Sequence, residues 1–222
     1  MSRVDVWHIT QTGTVSVNLP DLTSLDAVTR QLPEGYYSTF RTYAECTRVL
    51  GLRSHLQRLF EPVAAPDVDA ATLRRELREV LKRYRPGEAR VRALMTRQGN
   101  VYLALEPLQL LPHEIYAKGI RVETIELQRE NPRLKSTTFI SRSDAERKRM
   151  AEKGVFEALL VKEGMILEGM TSNFFYVQTS RAEREKLLCT AADDILLGVT
   201  RDRVIEIARG RGLEVRYEPL HR

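Results

Sequence analysis

The chain has 222 residues, 42% of them hydrophobic and 29% charged. That length carries one large domain or two small ones with a core of its own, and the composition excludes a disordered, collagenous or low-complexity chain. The net charge of +5 raises the question of nucleic acid, but signs alternate through Arg74-Arg75-Glu76-Leu77-Arg78-Glu79 and Asp144-Ala145-Glu146-Arg147-Lys148-Arg149 as on solvated helix faces.

The excess positive charge also suits an anionic small molecule. No apolar run approaches the ~20 residues of a membrane span, and the stretch from Met1 to Trp7 lacks the pattern of a signal peptide. Cys46 and Cys189, the two cysteines, make no disulfide framework and no metal-ligand spacing. The expectation is a cytoplasmic protein in a reducing compartment, with no metal, no membrane and no nucleic acid among its partners.

In chain order, Val4 to Ile9 and Thr14 to Val17 read as a hairpin across a Gly-containing turn. Ser24-Leu25-Asp26 starts a short helix that stops before Pro33. Tyr36 to Tyr43 is β-branched and aromatic, with Arg48-Val49-Leu50 as its hairpin partner. Leu52 to Phe60 puts Leu52, Leu56, Leu59 and Phe60 on one helical face, and Ala70 to Tyr84 repeats apolar residues at three and four. Strands at Ala89 to Thr96 and Val101 to Leu105 flank the turn Arg97-Gln98-Gly99-Asn100.

The pattern loosens from Pro107 to Lys118. Residues 111–119 are therefore predicted to link an N-terminal unit, 1–110, to a C-terminal unit, 120–222. The second half reads as a strand at Ile120 to Ile125, a polar stretch through Asn131-Pro132-Arg133, and a helix from Ser143 to Lys153. Strands follow at Phe156 to Val161, Met165 to Leu167 and Asn173 to Val177, then a charged loop at Arg181 to Lys186. A short strand, a helix from Thr200 to Arg209 and a strand at Leu213 to Tyr217 complete it. The order predicts an α+β fold of two subdomains with largely antiparallel sheets.

No G-x-G-x-x-G, P-loop, G-x-S-x-G or His/Cys metal spacing occurs. Three segments stand out. Leu134-Lys135-Ser136-Thr137-Thr138 places a lysine in a loop between a strand and a helix. Ile166-Leu167-Glu168-Gly169-Met170-Thr171-Ser172-Asn173 delivers a carboxylate from a strand end into a small-residue turn. Leu196-Leu197-Gly198-Val199-Thr200-Arg201 starts a helix after a glycine, where free N–H groups and the helix dipole favour an anion. Singly these read as a surface lysine, a strand-end carboxylate and a helix cap.

Together, in order, they resemble the class IV aminotransferases, the fold-type IV pyridoxal-phosphate enzymes. The likeness runs from Gly35 onward. Gly35-Tyr36-Tyr37-Ser38-Thr39-Phe40-Arg41 is similar to the family's glycine-aromatic-Arg strand, and His55-Leu56-Gln57-Arg58-Leu59 to its H-x-x-R-L helix. Lys135 stands 33 residues before Glu168, and Asn173-Phe174-Phe175, Thr190 and Gly198-Val199-Thr200-Arg201 follow in register.

The resemblance implies pyridoxal 5'-phosphate as cofactor. Lys135 would be its Schiff-base amine and the proton carrier, and Glu168 the partner of its ring nitrogen. Arg58 and the backbone N–H groups of Val199 and Thr200 would take its phosphate. Asn173 would steady the Glu168 turn, and Tyr37 and Arg41 would line the substrate side. The implied activity moves an amino group between a branched-chain or related amino acid and 2-oxoglutarate, in a homodimer. Aminodeoxychorismate lyase-like β-elimination and cofactor binding without turnover are the alternatives. Branched-chain members typically place a Tyr five residues after the lysine, where this chain has Ile140. D-amino acid members carry an R-x-H where it has Arg97-Gln98-Gly99. Relatives usually continue past the equivalent of Tyr217-Glu218-Pro219-Leu220, so the resemblance also implies that part of the C-terminal region is lacking.

Overall fold

Period-two alternation builds the first sheet. In β1 (Asp5–Thr10), Trp7 and Ile9 enter the cluster on one face of the sheet, while Val6 joins Val4 in the cluster on the other. β1 turns back into β2 (Gly13–Ser16). With β3 (Gly35–Tyr43), β4 (Arg48–Val49), β5 (Ala89–Thr96) and β6 (Val101–Pro107) it forms a six-stranded antiparallel sheet ordered β2-β1-β6-β5-β3-β4. The computed structural model describes residues 3–179 and 186–222, so residues 181–185 of the expected charged loop lie outside the described residues.

One face of this sheet is covered by α2 (Leu52–Phe60) and α3 (Ala70–Leu81), which runs into a 3-10 turn at Lys82–Tyr84. Leu56 and Leu59 from α2, and Leu73, Leu77, Val80 and Leu81 from α3, pack on Met95, Val101 and Leu103. Burying each such side chain stabilises by roughly 1.5–3 kcal/mol. On the other face α1 (Leu25–Gln31), N-capped by Ser24 whose hydroxyl accepts from Ala27 N at 3.1 Å, packs Leu25 and Val28 on Val4, Val6 and Ala104. α5 (Thr138–Arg142) adds Ile140 to Tyr37 and Leu94.

Two compact units divide the chain: residues up to Leu111 together with Leu134–Ser143, and Pro112–Arg133 together with Asp144–Arg222. The stretch carrying Lys135 thus folds with the first strands rather than with its sequence neighbours. It is bound there by Tyr37 N to Lys135 O and Thr137 N to Gly35 O, both at 2.9 Å.

The second unit holds α4 (His113–Lys118), β7 (Val122–Ile125), α6 (Asp144–Glu152), β8 (Glu157–Lys162) and β9 (Met165–Gly169). β10 (Tyr176–Thr179), β11 (Lys186–Cys189), α7 (Val199–Gly210), β12 (Glu214–Arg216) and β13 (Leu220–His221) complete it. Its sheets are ordered β13-β9-β8-β7 and β10-β11-β12. Only β7–β8 and β11–β12 pair in parallel among the described strands, so the protein is α+β with largely antiparallel sheets.

Several elements differ from expectation. The helix expected over 143–153 forms as α6, and a further short helix, α5, precedes it, ended by Ser143 whose hydroxyl bonds back to Phe139 O at 2.6 Å. The strand expected from Asn173 starts at Tyr176, because Asn173 forms an isolated bridge with Glu168 instead. α4 and β13 form where no periodicity announced them.

Candidate active site

The sequence-predicted residues fall into two groups, one in each unit. In the first, β3 and α2 supply the frame. His55 and Arg58 stand three residues apart on α2, hence on one face. Buried Ser38 of β3 lies between them: Arg58 Nη2 donates to its Oγ at 2.8 Å, and that Oγ is 2.9 Å from His55 Nδ1. Burial first, and then the charges of Arg58 and Lys135, push the His55 pKa down to about 4.

Lys135 is half-buried, with its ammonium nitrogen 4.9 Å from the centroid of the Tyr37 ring. Arg92 lies 4.7 Å from the same centroid. Its guanidinium is bonded to Leu25 O, Asp26 Oδ1, Thr29 Oγ1 and Thr39 Oγ1 at 2.7–3.1 Å. The structure therefore gathers Lys135, Tyr37, His55 and Arg58. Arg41 is at the hairpin end of β3, stacked 4.5 Å over Tyr43 and bonded to Thr42 O.

In the second unit the centre is Glu168, 2% exposed at the end of β9. A buried carboxylate stays ionised only if paired. Arg129 does this: its Nε donates to Glu168 Oε1 at 2.8 Å and its Nη2 to Met170 O at 3.0 Å. Leu196 N adds contacts to both carboxylate oxygens at 3.2 and 3.3 Å.

The turn after Glu168 is fixed by a second buried acid. Glu157 of β8 accepts from Thr171 N, Thr171 Oγ1 and Ser172 Oγ at 2.7–3.2 Å. Asn173 Nδ2 then donates to Leu196 O at 2.7 Å, and Thr190 Oγ1 to Phe174 O at 2.8 Å. Leu196 is thus held at its N–H by Glu168 and at its carbonyl by Asn173, which sets the entry into α7. A Cβ on Gly198 would sit 2.1 Å from Asn173 Oδ1, so only glycine allows this approach. Gly198 is also the N-cap of α7 and, among the described residues, no side chain caps the helix. Buried Val199 and exposed Thr200 open its first turn, where N–H groups favour an anion. Buried Arg201 donates to Ala191 O at 2.8 Å, and its pKa is pushed down by burial.

Sequence reasoning passed over Ser38, Arg129 and Glu157. Arg129 sits in a polar stretch with nothing local to mark it, and its partner is 39 residues away. Glu157 had a signal: a charged residue directly before the apolar run Ala158-Leu159-Leu160-Val161 of the strand EALLVK. Among the described residues, no group of three or more His, Cys, Asp or Glu could hold a metal ion, and no helix is long and apolar enough to cross a membrane.

A profile of the family "Amino-transferase class IV" matches residues 35–222. Among curated proteins, the chain is 27% identical over 208 residues to one from Methanocaldococcus jannaschii described as a branched-chain-amino-acid aminotransferase, covering 84% of this chain and 69% of that one. It is also 27% identical over 212 residues to the aminodeoxychorismate lyase of Bacillus subtilis, covering 83% and 69%. A solved fold IV-transaminase from Curtobacterium pusillum superposes with a TM-score of 0.73 at 22% identity, over 99% of this chain and 83% of that one. At that identity the last match shows a common fold.

Proposed function

The chain belongs to the class IV aminotransferase family, and from that premise we propose that it is a pyridoxal-phosphate-dependent aminotransferase acting between a branched-chain or related amino acid and 2-oxoglutarate. The donor set suits the cofactor's chemistry. It offers a half-buried primary amine at Lys135, a buried carboxylate kept ionised at Glu168, a guanidinium at Arg58 and an uncapped helix start at Val199 and Thr200. The single observation that carries the reading is Glu168. A carboxylate 2% exposed, held charged by Arg129 and oriented by Leu196 N–H, is suited to keeping a pyridine nitrogen protonated.

Pyridoxal phosphate, when bound, supplies an electron sink for charge developing at the substrate Cα. The protein's residues do the rest. Lys135 would bond the cofactor through Nζ and, once released by the substrate amine, take the proton from the substrate Cα with that same nitrogen. Arg58 and the N–H groups of Val199 and Thr200 would hold the phosphate. Asn173 would hold the Glu168 turn, as its bond to Leu196 O supports. Tyr37 would wall the substrate side beside Lys135, and Arg41, turned to Tyr43 and Thr42 O at the hairpin end of β3, would line that side by the resemblance alone. The same reading makes the chain a cytoplasmic homodimer whose partners are small amino acids and 2-oxo acids.

The lyase-like reading keeps the same lysine and ends in β-elimination of pyruvate. Ile140 bears on the choice by weakening the branched-chain assignment: five residues after Lys135, where branched-chain members typically have a phenol, this chain buries a fully enclosed aliphatic side chain against Tyr37 and Leu94. Supplying the protein with cofactor and measuring glutamate formed from 2-oxoglutarate against pyruvate released from aminodeoxychorismate separates the two. Glutamate without pyruvate is expected; pyruvate without glutamate makes the protein a lyase, and neither product sinks both.

A further inference from the structure

Arg58, Ser38 and His55 form a hydrogen-bonded chain whose first link has a direction fixed by elementary chemistry. A guanidinium donates and cannot accept. Arg58 Nη2 therefore gives its hydrogen to Ser38 Oγ, 2.8 Å away. The hydroxyl has one hydrogen of its own, Ser38 is 1% exposed, and the imidazole Nδ1 stands 2.9 Å from it. Ser38 Oγ thus joins the guanidinium to the imidazole, and the donor of its bond to Nδ1 depends on the His55 tautomer.

The geometry leaves little slack. Ser38 is fixed by its place opposite Ala93 in the β3–β5 ladder. The His55 ring lies 5.0 Å from Phe40, tilted by 45°, and α2 fixes its backbone. In a doubly protonated ring, Nδ1 and Arg58 Nη2 would aim two cationic donors at one hydroxyl oxygen. The depressed His55 pKa, about 4, agrees with the neutral form.

We propose that Ser38 and His55 are positioning residues that set the aim of the Arg58 guanidinium for a phosphate group, and thereby the preference of this protein for a phosphorylated over an unphosphorylated pyridoxal. The inference rests on the reading of Arg58 as a phosphate-binding residue given above. Neither Ser38 nor His55 need touch the cofactor. Their effect is confined to the phosphate, which separates it from a general loss of packing.

The test uses the full chain and titrates pyridoxal phosphate and pyridoxal against the wild type, Ser38→Ala, His55→Phe and His55→Asn, with inorganic phosphate as a third probe. Ser38→Ala and His55→Phe are expected to weaken pyridoxal phosphate about tenfold, the scale of one misdirected charge-assisted hydrogen bond. Inorganic phosphate should weaken in parallel and pyridoxal should not change. His55→Asn offers an amide oxygen near the place of Nδ1 and should restore the preference. Ser38→Ala removes one oxygen and no bulk, so it gives the answer even where His55→Phe does not fold. An unchanged ratio of pyridoxal phosphate to pyridoxal affinity in Ser38→Ala, or an equal loss of both, overturns the proposal. A wild type with no preference for the phosphorylated form overturns the parent reading of Arg58, and this inference with it.

Discussion

The two units stabilise buried charge in opposite ways. Around His55 the first unit brings Arg58 and Lys135 to an imidazole kept neutral, and Ser38 passes a hydrogen bond between the ring and a guanidinium. Around Glu168 the second unit buries a complete ion pair, Arg129 with Glu168, inside a web of backbone bonds. The first arrangement sets positive charge beside a neutral ring. The second fixes the position of a negative charge. The difference teaches which substitutions will affect ligand binding and which will affect the fold.

The largest effect is expected where the ion pair is broken. Glu168→Ala leaves the Arg129 guanidinium, 5% exposed, without its carboxylate, and should cost about 3–5 kcal/mol of stability. Denaturant unfolding measures it, and a loss below about 1 kcal/mol would mean that the second unit is not organised around this pair.

The neutral imidazole predicts a smaller, pH-dependent effect. With a folded pKa of about 4 against about 6.5 unfolded, the unfolded chain binds the proton first as pH falls. His55 therefore costs no stability above the unfolded value and destabilises progressively between the two, by about 2 kcal/mol from pH 7 to pH 5. Unfolding curves of the wild type and His55→Asn across this window should converge in slope if the imidazole is not the cause.

Gly198→Ala should have the smallest effect on stability. Its methyl would press on Asn173 Oδ1, costing roughly 1–2 kcal/mol if Asn173 turns aside. That displacement frees Leu196, so phosphate binding should weaken alongside stability. Titration with inorganic phosphate reads the second effect, and intact binding would show that entry into α7 does not depend on Asn173.

How much of this was legible in the sequence depended on whether the signal was local. The first unit was readable because its helices are amphipathic and its strands end in turn residues: α2 forms over the residues its periodicity marks, and α3 differs only where its last turn tightens. In the second unit the signals were weaker. α6 buries only Met150 among its nine residues, yet it forms within one residue of its expected bounds, while the short α5 before it had no signal. Asn173 looked like the beginning of a strand because its tie to Leu196 O spans 23 residues. Lys135, Glu168 and Thr200 were singled out through their order along the chain. Ser38, Arg129 and Glu157 were not found, because each acts through a partner 14 to 39 residues away that only the fold brings close.

The central claim is that Lys135 is the amine for pyridoxal phosphate, and covalent trapping tests it most directly. The full chain is given pyridoxal phosphate, reduced with borohydride, digested and mapped by mass. A pyridoxyl group on the peptide containing Lys135, and no trapping in Lys135→Ala, is the predicted result. A colourless protein that traps no cofactor, or a label on another lysine that persists in Lys135→Ala, would contradict it.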